Sequence, residues 1–116
     1  MNNLDSLLKS LLTEEGKRRA IVKAVALGKS DKPEYIEMTV QFCREKKLYE
    51  LAGDILRRSN DPRANGLYTI AMMEYEQHGE FNWAARLAEK LGDTERAEAY
   101  RTLAKELNIY SPVDSV

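Results

Sequence analysis

Three stretches of this chain share one apolar pattern, and the pattern returns at a nearly fixed interval. Ile21-Val22-x-x-Val25-Ala26, Leu51-Ala52-x-x-Ile55-Leu56 and Trp83-Ala84-x-x-Leu87-Ala88 stand 30 and then 32 residues apart. A helix-start signal follows each at a similar distance: Asp31-Lys32-Pro33-Glu34, Asp61-Pro62 and Asp93-Thr94-Glu95. A period near thirty is the mark of stacked supersecondary units, each too small to bury its own apolar face. Such a stack presents surfaces to partners, and the pattern therefore points to an interaction module before it points to an enzyme.

Helical spacing covers nearly the whole sequence. Leu4, Leu7, Leu8, Leu11 and Leu12 recur at steps of three and four, which places five leucines on one face of a first helix. Gly16 is expected to break it, and a second helix then buries Ala20, Ile21, Val22, Val25 and Ala26. Asp31 with Glu34 reads as a capping box for a third helix over about 33–46, with Ile36, Thr39, Val40 and Cys43 turned inward. A fourth helix runs from about Leu48 to Arg58. A fifth is capped by Asp61 with Pro62 at its first position and lined by Tyr68, Ala71, Met72 and Tyr75. A sixth spans about 80–91. A seventh, capped by Asp93 or Thr94, gathers Ala97, Tyr100, Ala104 and Leu107 on one face. No stretch alternates β-branched and polar residues for long. The expected fold is all-α, about seven helices in stacked antiparallel hairpins, over a single domain of residues 1–108 with a flexible tail at 109–116. A compact irregular helical bundle is the alternative.

Small residues recur in step with aromatics. Tyr49 and Phe81 stand 32 apart, each three residues before an alanine, Ala52 or Ala84, and Tyr68 and Tyr100 stand 32 apart as well. A small side chain lets two helix backbones approach, while larger neighbours fill the grooves alongside. The stretch Tyr75-x-x-x-Gly79-x-Phe81-x-x-Ala84-x-x-x-Ala88-x-x-Leu91 resembles the tetratricopeptide repeat, a family of partner-binding helical hairpins. Residues 42–59 resemble it more weakly, through Phe42, Tyr49 and Ala52, with Lys46-Lys47 in place of the turn glycine. The period is shorter than the thirty-four residues of that repeat. The resemblance implies a groove to which the fifth helix shows Thr69, Met73, Glu76 and Gln77. With Phe42 as the equivalent aromatic, the counterparts would be Ile36, Val40, Cys43 and Arg44.

Little else suggests chemistry. His78 is the only histidine, and Glu74-x-x-x-His78 alone cannot complete a metal site that needs ligands from several helices. Cys43 is the only cysteine, so no intramolecular disulfide can form, and its place on an apolar strip suits a buried thiol. Gly28-Lys29-Ser30 mimics the end of a phosphate-binding loop, but Lys23 stands where the upstream glycine is needed. The sequence implies no enzyme, no cofactor and no metal.

Charge narrows the partners. The formal net charge is −1, which disfavours a general polyanion binder. The balance is nevertheless uneven: residues 1–63 carry 13 Lys/Arg against 10 Asp/Glu, and residues 64–116 carry 5 against 9. Lys17, Arg18, Arg19, Lys46, Lys47, Arg57 and Arg58 could line a basic edge and track a nucleic acid, although interleaved carboxylates would cancel much of its field. The leading expectation is a non-enzymatic protein–protein interaction scaffold. The alternatives are a homodimer paired through the leucine-rich first helix and a nucleic-acid binder using the basic edge. The chain shows no apolar run of about 20 residues and no signal-peptide pattern, so cytoplasmic residence is expected. If Trp83 and Leu51 lie between hairpins, Trp83→Ala or Leu51→Ala should each cost about 3 kcal/mol in chemical denaturation.

Overall fold

The computed structural model describes residues 14–107, and six helices account for most of them. They are α1 (Glu14–Ala26), α2 (Pro33–Glu45), α3 (Tyr49–Arg58), α4 (Arg63–Gln77), α5 (Phe81–Lys90) and α6 (Thr94–Glu106). These are the second to seventh helices expected from the sequence, and no strand occurs among the described residues. The leucine-rich segment 4–12 and the tail from Asn108 lie outside them. Contacts divide the chain into two compact units, residues 1–47 and 48–116.

One backbone device closes the first five helices. Gly28 (φ 74°), Lys47 (59°), Asn60 (55°), Gly79 (71°) and Gly92 (76°) all occupy the left-handed region just past a helix end. After four of the five the next amide reaches back to a carbonyl five residues earlier: Lys29 N to Ala24 O at 2.8 Å, Asp61 N to Leu56 O at 3.0 Å, Glu80 N to Tyr75 O at 2.8 Å and Asp93 N to Ala88 O at 2.9 Å. These bonds occupy carbonyls that a helix end otherwise leaves unpaired. Residues 28, 60 and 92 are 32 apart, as are 47 and 79. The turns thus keep a strict interval, and the 30-residue first step of the apolar pattern is two residues short of it. By backbone position Ala20 matches Ala52 and Ala84, yet Ala20 is exposed while the other two are buried.

In the first unit α1 packs on α2. Val25, Thr39, Val40 and Cys43 are buried, and Ile21, Val22, Ala26 and Ile36 are partly covered. The Thr39 hydroxyl donates to the Tyr35 carbonyl at 2.8 Å, which satisfies the buried polar group. Burial raises the Cys43 thiol pKa above its ordinary value. Two expectations are corrected here. Gly16 lies inside α1 instead of breaking a helix before it. The Asp31–Glu34 capping box also fails to form, because Pro33 pushes the preceding residue, Lys32, into extended geometry (φ −61°, ψ 129°) and so makes Lys32 the cap.

In the second unit α3, α4, α5 and α6 each pack on the next. Ala52, Gly53, Ala84, Ala85, Ala88, Ala97 and Ala104 are all buried, as their spacing predicts. Helix α4 lies between α3 and α5 and buries Ala64, Leu67, Tyr68, Ala71 and Met72. The Asp61 carboxylate accepts from Arg63 N at 2.9 Å at the start of α4 and pairs with the Arg63 guanidinium at 2.8 Å. Those bonds hold the Asp61 pKa below its ordinary value. Asp93 caps α6 by accepting from Arg96 N at 3.0 Å. Two further expectations are corrected. Trp83 is 50 % exposed, although the pattern's other first positions, Ile21 and Leu51, are partly covered, and Leu107 is 58 % exposed at the end of α6.

Gly53 sets how closely α3 meets α4. A Cβ there would lie 2.7 Å from Tyr68 Cε1 and 3.3 Å from the Ala64 carbonyl oxygen, whereas a Cβ on Gly66 would meet nothing within 4 Å. Alanine gains about 1 kcal/mol of helix propensity at either site, but at Gly53 the overlap costs more, about 1–3 kcal/mol. Gly66→Ala should therefore raise the urea midpoint and Gly53→Ala should lower it. Trp83→Ala should now cost under about 1 kcal/mol, while Leu87→Ala, with its side chain fully buried, should cost about 3 kcal/mol in the same measurement.

Candidate functional site

Helix α4 has two unlike faces. Opposite its buried residues, Gly66, Thr69, Ile70, Met73, Glu76 and Gln77 share one face, each three or four residues from another of the set. Met73 is 49 % exposed and Ile70 37 %, and both Glu76 and Gln77 are open to solvent. Thr69 is partly covered, and its hydroxyl donates to the Asn65 carbonyl at 2.9 Å. Glu76 accepts from the Tyr100 hydroxyl of α6 at 3.2 Å. Burial, then this hydrogen bond, lifts the Tyr100 pKa above its ordinary value. The strip joins two apolar side chains to an amide, a hydroxyl and an anchored carboxylate.

Of the residues expected on this face, the structure brings Thr69, Met73, Glu76 and Gln77 together on α4. Their expected counterparts on α2 are displaced by one position. Val40 and Cys43 are buried and Ile36 is partly covered, and of that set Arg44 alone is exposed. The turn at Lys47 explains the shift. Lys47 occupies the left-handed position of Gly79, so the residues matching 69, 73, 76 and 77 lie 32 earlier: Glu37, Gln41, Arg44 and Glu45, all exposed. The Tyr49–Phe81 interval of 32 carried that phase, whereas Phe42 is 33 residues from Tyr75. Gly66 and Ile70 were also missed, although both fall on the helical steps of Met73.

A polar cluster holds the other side of α4. Tyr68 is fully buried, and its hydroxyl donates to Asp54 Oδ1 at 2.6 Å. Lys90 donates to Glu50 at 2.7 Å and to Asp54 at 3.0 Å, and its ammonium lies 5.4 Å from the Tyr68 ring centroid. Arg86 pairs with Glu50 at 2.7 Å and lies 4.5 Å over the Trp83 ring, which itself stacks on Tyr75 at 6.0 Å. Burial and the hydrogen bond to Asp54 raise the Tyr68 pKa. For Lys90 burial acts downward, but the hydrogen bonds and charges of Glu50 and Asp54 outweigh it and raise the pKa.

Two of the expected basic residues are held in ion pairs within the first unit. Arg18 pairs with Glu45 at 2.9 Å and sits 5.2 Å from the Phe42 ring centroid, Arg19 pairs with Glu15 at 3.1 Å, and Lys46 lies 5.8 Å from the Phe42 centroid. Lys17, Lys47, Arg57 and Arg58 are exposed. A cleft of about 420 Å³ between α1 and α2 is floored by Ile21 and Met38 and rimmed by Lys17, Arg18, Gln41 and Glu45. His78 caps α4, its Nδ1 2.7 Å from the Glu74 carbonyl oxygen. Among the described residues no group of three or more His, Cys, Asp or Glu side chains could hold a metal, and no helix is long and apolar enough to cross a membrane. No family model, curated protein or solved structure matches this chain.

The raised pKa values of Lys90, Tyr68 and Tyr100 have one consequence for stability. The folded chain holds these protons more tightly than the unfolded chain does. Their contribution is therefore complete below the ordinary values of 10.0 and 10.5 and is lost as pH climbs through the raised ones. Denaturant midpoints should hold steady up to about pH 10 and fall beyond it. Lys90→Met should lower the midpoint at neutral pH, by about 1 kcal/mol, and make the alkaline fall shallower.

Proposed function

We propose that this chain is a non-enzymatic interaction module in which helical hairpins of the tetratricopeptide type present the outer face of α4 to a peptide or helix of a partner protein. The observation that carries this reading is the exposed pair Ile70 and Met73 on one strip of α4, set among Thr69, Glu76 and Gln77. Apolar residues at the centre of a patch with polar groups around them is the usual layout of a protein interface. Helix-in-groove recognition reads such a strip through anchors spaced three and four residues apart. Methionine suits the task because its flexible thioether adapts to more than one partner shape.

The remaining chemistry supports the same reading. Several of the described charges are matched in ion pairs, such as Arg18–Glu45, Arg63–Asp61 and Lys90–Glu50, and the formal net charge is only −1. Binding then rests on shape and apolar burial more than on a strong field, and affinity should depend only weakly on salt.

The test compares the tagged wild type with a Met73→Glu, Gln77→Lys double variant as baits in the same lysate. Both changes lie on the exposed face, so the helical circular dichroism and the thermal midpoint should stay within a few degrees of wild type. Partner recovery should fall at least about tenfold, the loss expected when a hot-spot anchor worth 1.4 kcal/mol or more is removed. Equal recovery of the same partner by both baits would overturn the assignment of this face.

A further inference from the structure

Helices α4 and α6 share a turn interval but not their surroundings. On α4, Tyr68 and Met72 face the preceding helix, where the Tyr68 hydroxyl reaches Asp54 and its ring lies against Gly53. Tyr75, on the side toward the following helix, stacks on Trp83 of α5. Ala64, Leu67 and Ala71, toward the same side by helical position, are buried. Moving 32 residues on to α6 separates the two halves. Tyr100 and Ala104, which match Tyr68 and Met72, are buried. Arg96, Ala99 and Leu103, which match Ala64, Leu67 and Ala71, are all exposed, Leu103 to 40 %. Leu107, at the position of Tyr75, is more exposed still. The side of α6 that α4 would give to a following helix is thus the uncovered one, and it carries two leucines.

The sequence beyond Leu107 keeps the same interval. Val113 falls 32 residues after Phe81 and 64 after Tyr49, and Val116 falls 32 after Ala84 and 64 after Ala52. Tyr49 and Phe81 open α3 and α5, and Ala52 and Ala84 are buried in their first turns. The connection also has the needed reach: five residues separate Leu107 from Val113, as five separate Tyr75 from Phe81. Pro112 stands at the position of Glu80, whose amide bonds the Tyr75 carbonyl at 2.8 Å. Proline has no such amide, so apolar contact has to do the holding. An exposed apolar stripe and an in-phase pair of valines on the adjoining segment have complementary needs.

We infer that the exposed side of α6 is a docking surface for the chain's own segment 112–116, with Val113 and Val116 set against Leu103 and Leu107. The occupant is a segment of this chain, and the surface is separate from the α4 strip assigned to a partner, so failure of either reading leaves the other standing.

A double-mutant cycle on the full chain tests it. Val113→Asp with Val116→Asp, Leu103→Ala, and all three together are compared with wild type by thermal unfolding, by hydrogen exchange of α6 amides and by sedimentation. Leu103→Ala and the valine pair should each lower Tm by about 3–6 °C and speed exchange in α6. The combined variant should fall by clearly less than the sum, the mark of groups that touch. A valine variant with wild-type Tm and exchange, whether the chain sediments as one copy or as two, would overturn the inference. So would full additivity, because the two sets of residues would then act apart. A doubled mass abolished by Leu103→Ala alone would assign the surface to a second copy and likewise overturn it.

Discussion

Everything in the second unit depends on how closely α4 can approach α3, and that distance is set by one missing side chain. Gly53 leaves room for the Tyr68 ring, which then fills the space so fully that Tyr68 is buried and delivers its hydroxyl to Asp54 at 2.6 Å. Asp54 is shared with Lys90, which also bonds Glu50, so one residue of α5 is tied to two of α3 across the ring of an α4 residue. A buried phenol without a partner would cost about 1–3 kcal/mol. The cluster removes that cost and gives three helices a common point of reference.

This clamp occupies one side of α4 and leaves the other free. Because Ala64, Leu67, Tyr68, Ala71 and Met72 are committed to the core, helical geometry turns Thr69, Ile70, Met73 and Gln77 away from it. Their exposure follows from the packing and does not reflect a loosely held helix. A strip on such a helix is pre-organised, so any contact made on it would cost little conformational freedom. On the polar side of the clamp Arg86, Lys90, Glu50 and Asp54 satisfy one another.

Much of the fold was legible because each helix carries its own punctuation. Gly28, Gly79 and Gly92 mark three helix ends directly, and Asp61 and Asp93 mark two starts. Two other helix ends were harder to see, because Lys47 and Asn60 adopt the left-handed conformation without being glycine. That substitution hid the phase on α2 and shifted its expected surface by one residue, onto the buried Val40 and Cys43. Trp83 misled for a different reason. An aromatic residue in an apolar pattern suggests a core position, but its indole is covered on its faces by Tyr75 and Arg86, contacts that leave half of it in water. Arg86 comes from the next turn of α5 itself, but Tyr75 comes from another helix, and the local pattern holds no trace of that contact.

The central claim is that the outer strip of α4 meets another polypeptide. Its most direct test places a photo-cross-linking amino acid at position 73 in the full chain, with position 82 as the control, since Met73 and Asn82 are both exposed but lie on different helices. Irradiation in the source cells should give a discrete heavier adduct from position 73 and none from position 82. An adduct from position 82 alone, equal yields at both, or no adduct at position 73 would contradict the account.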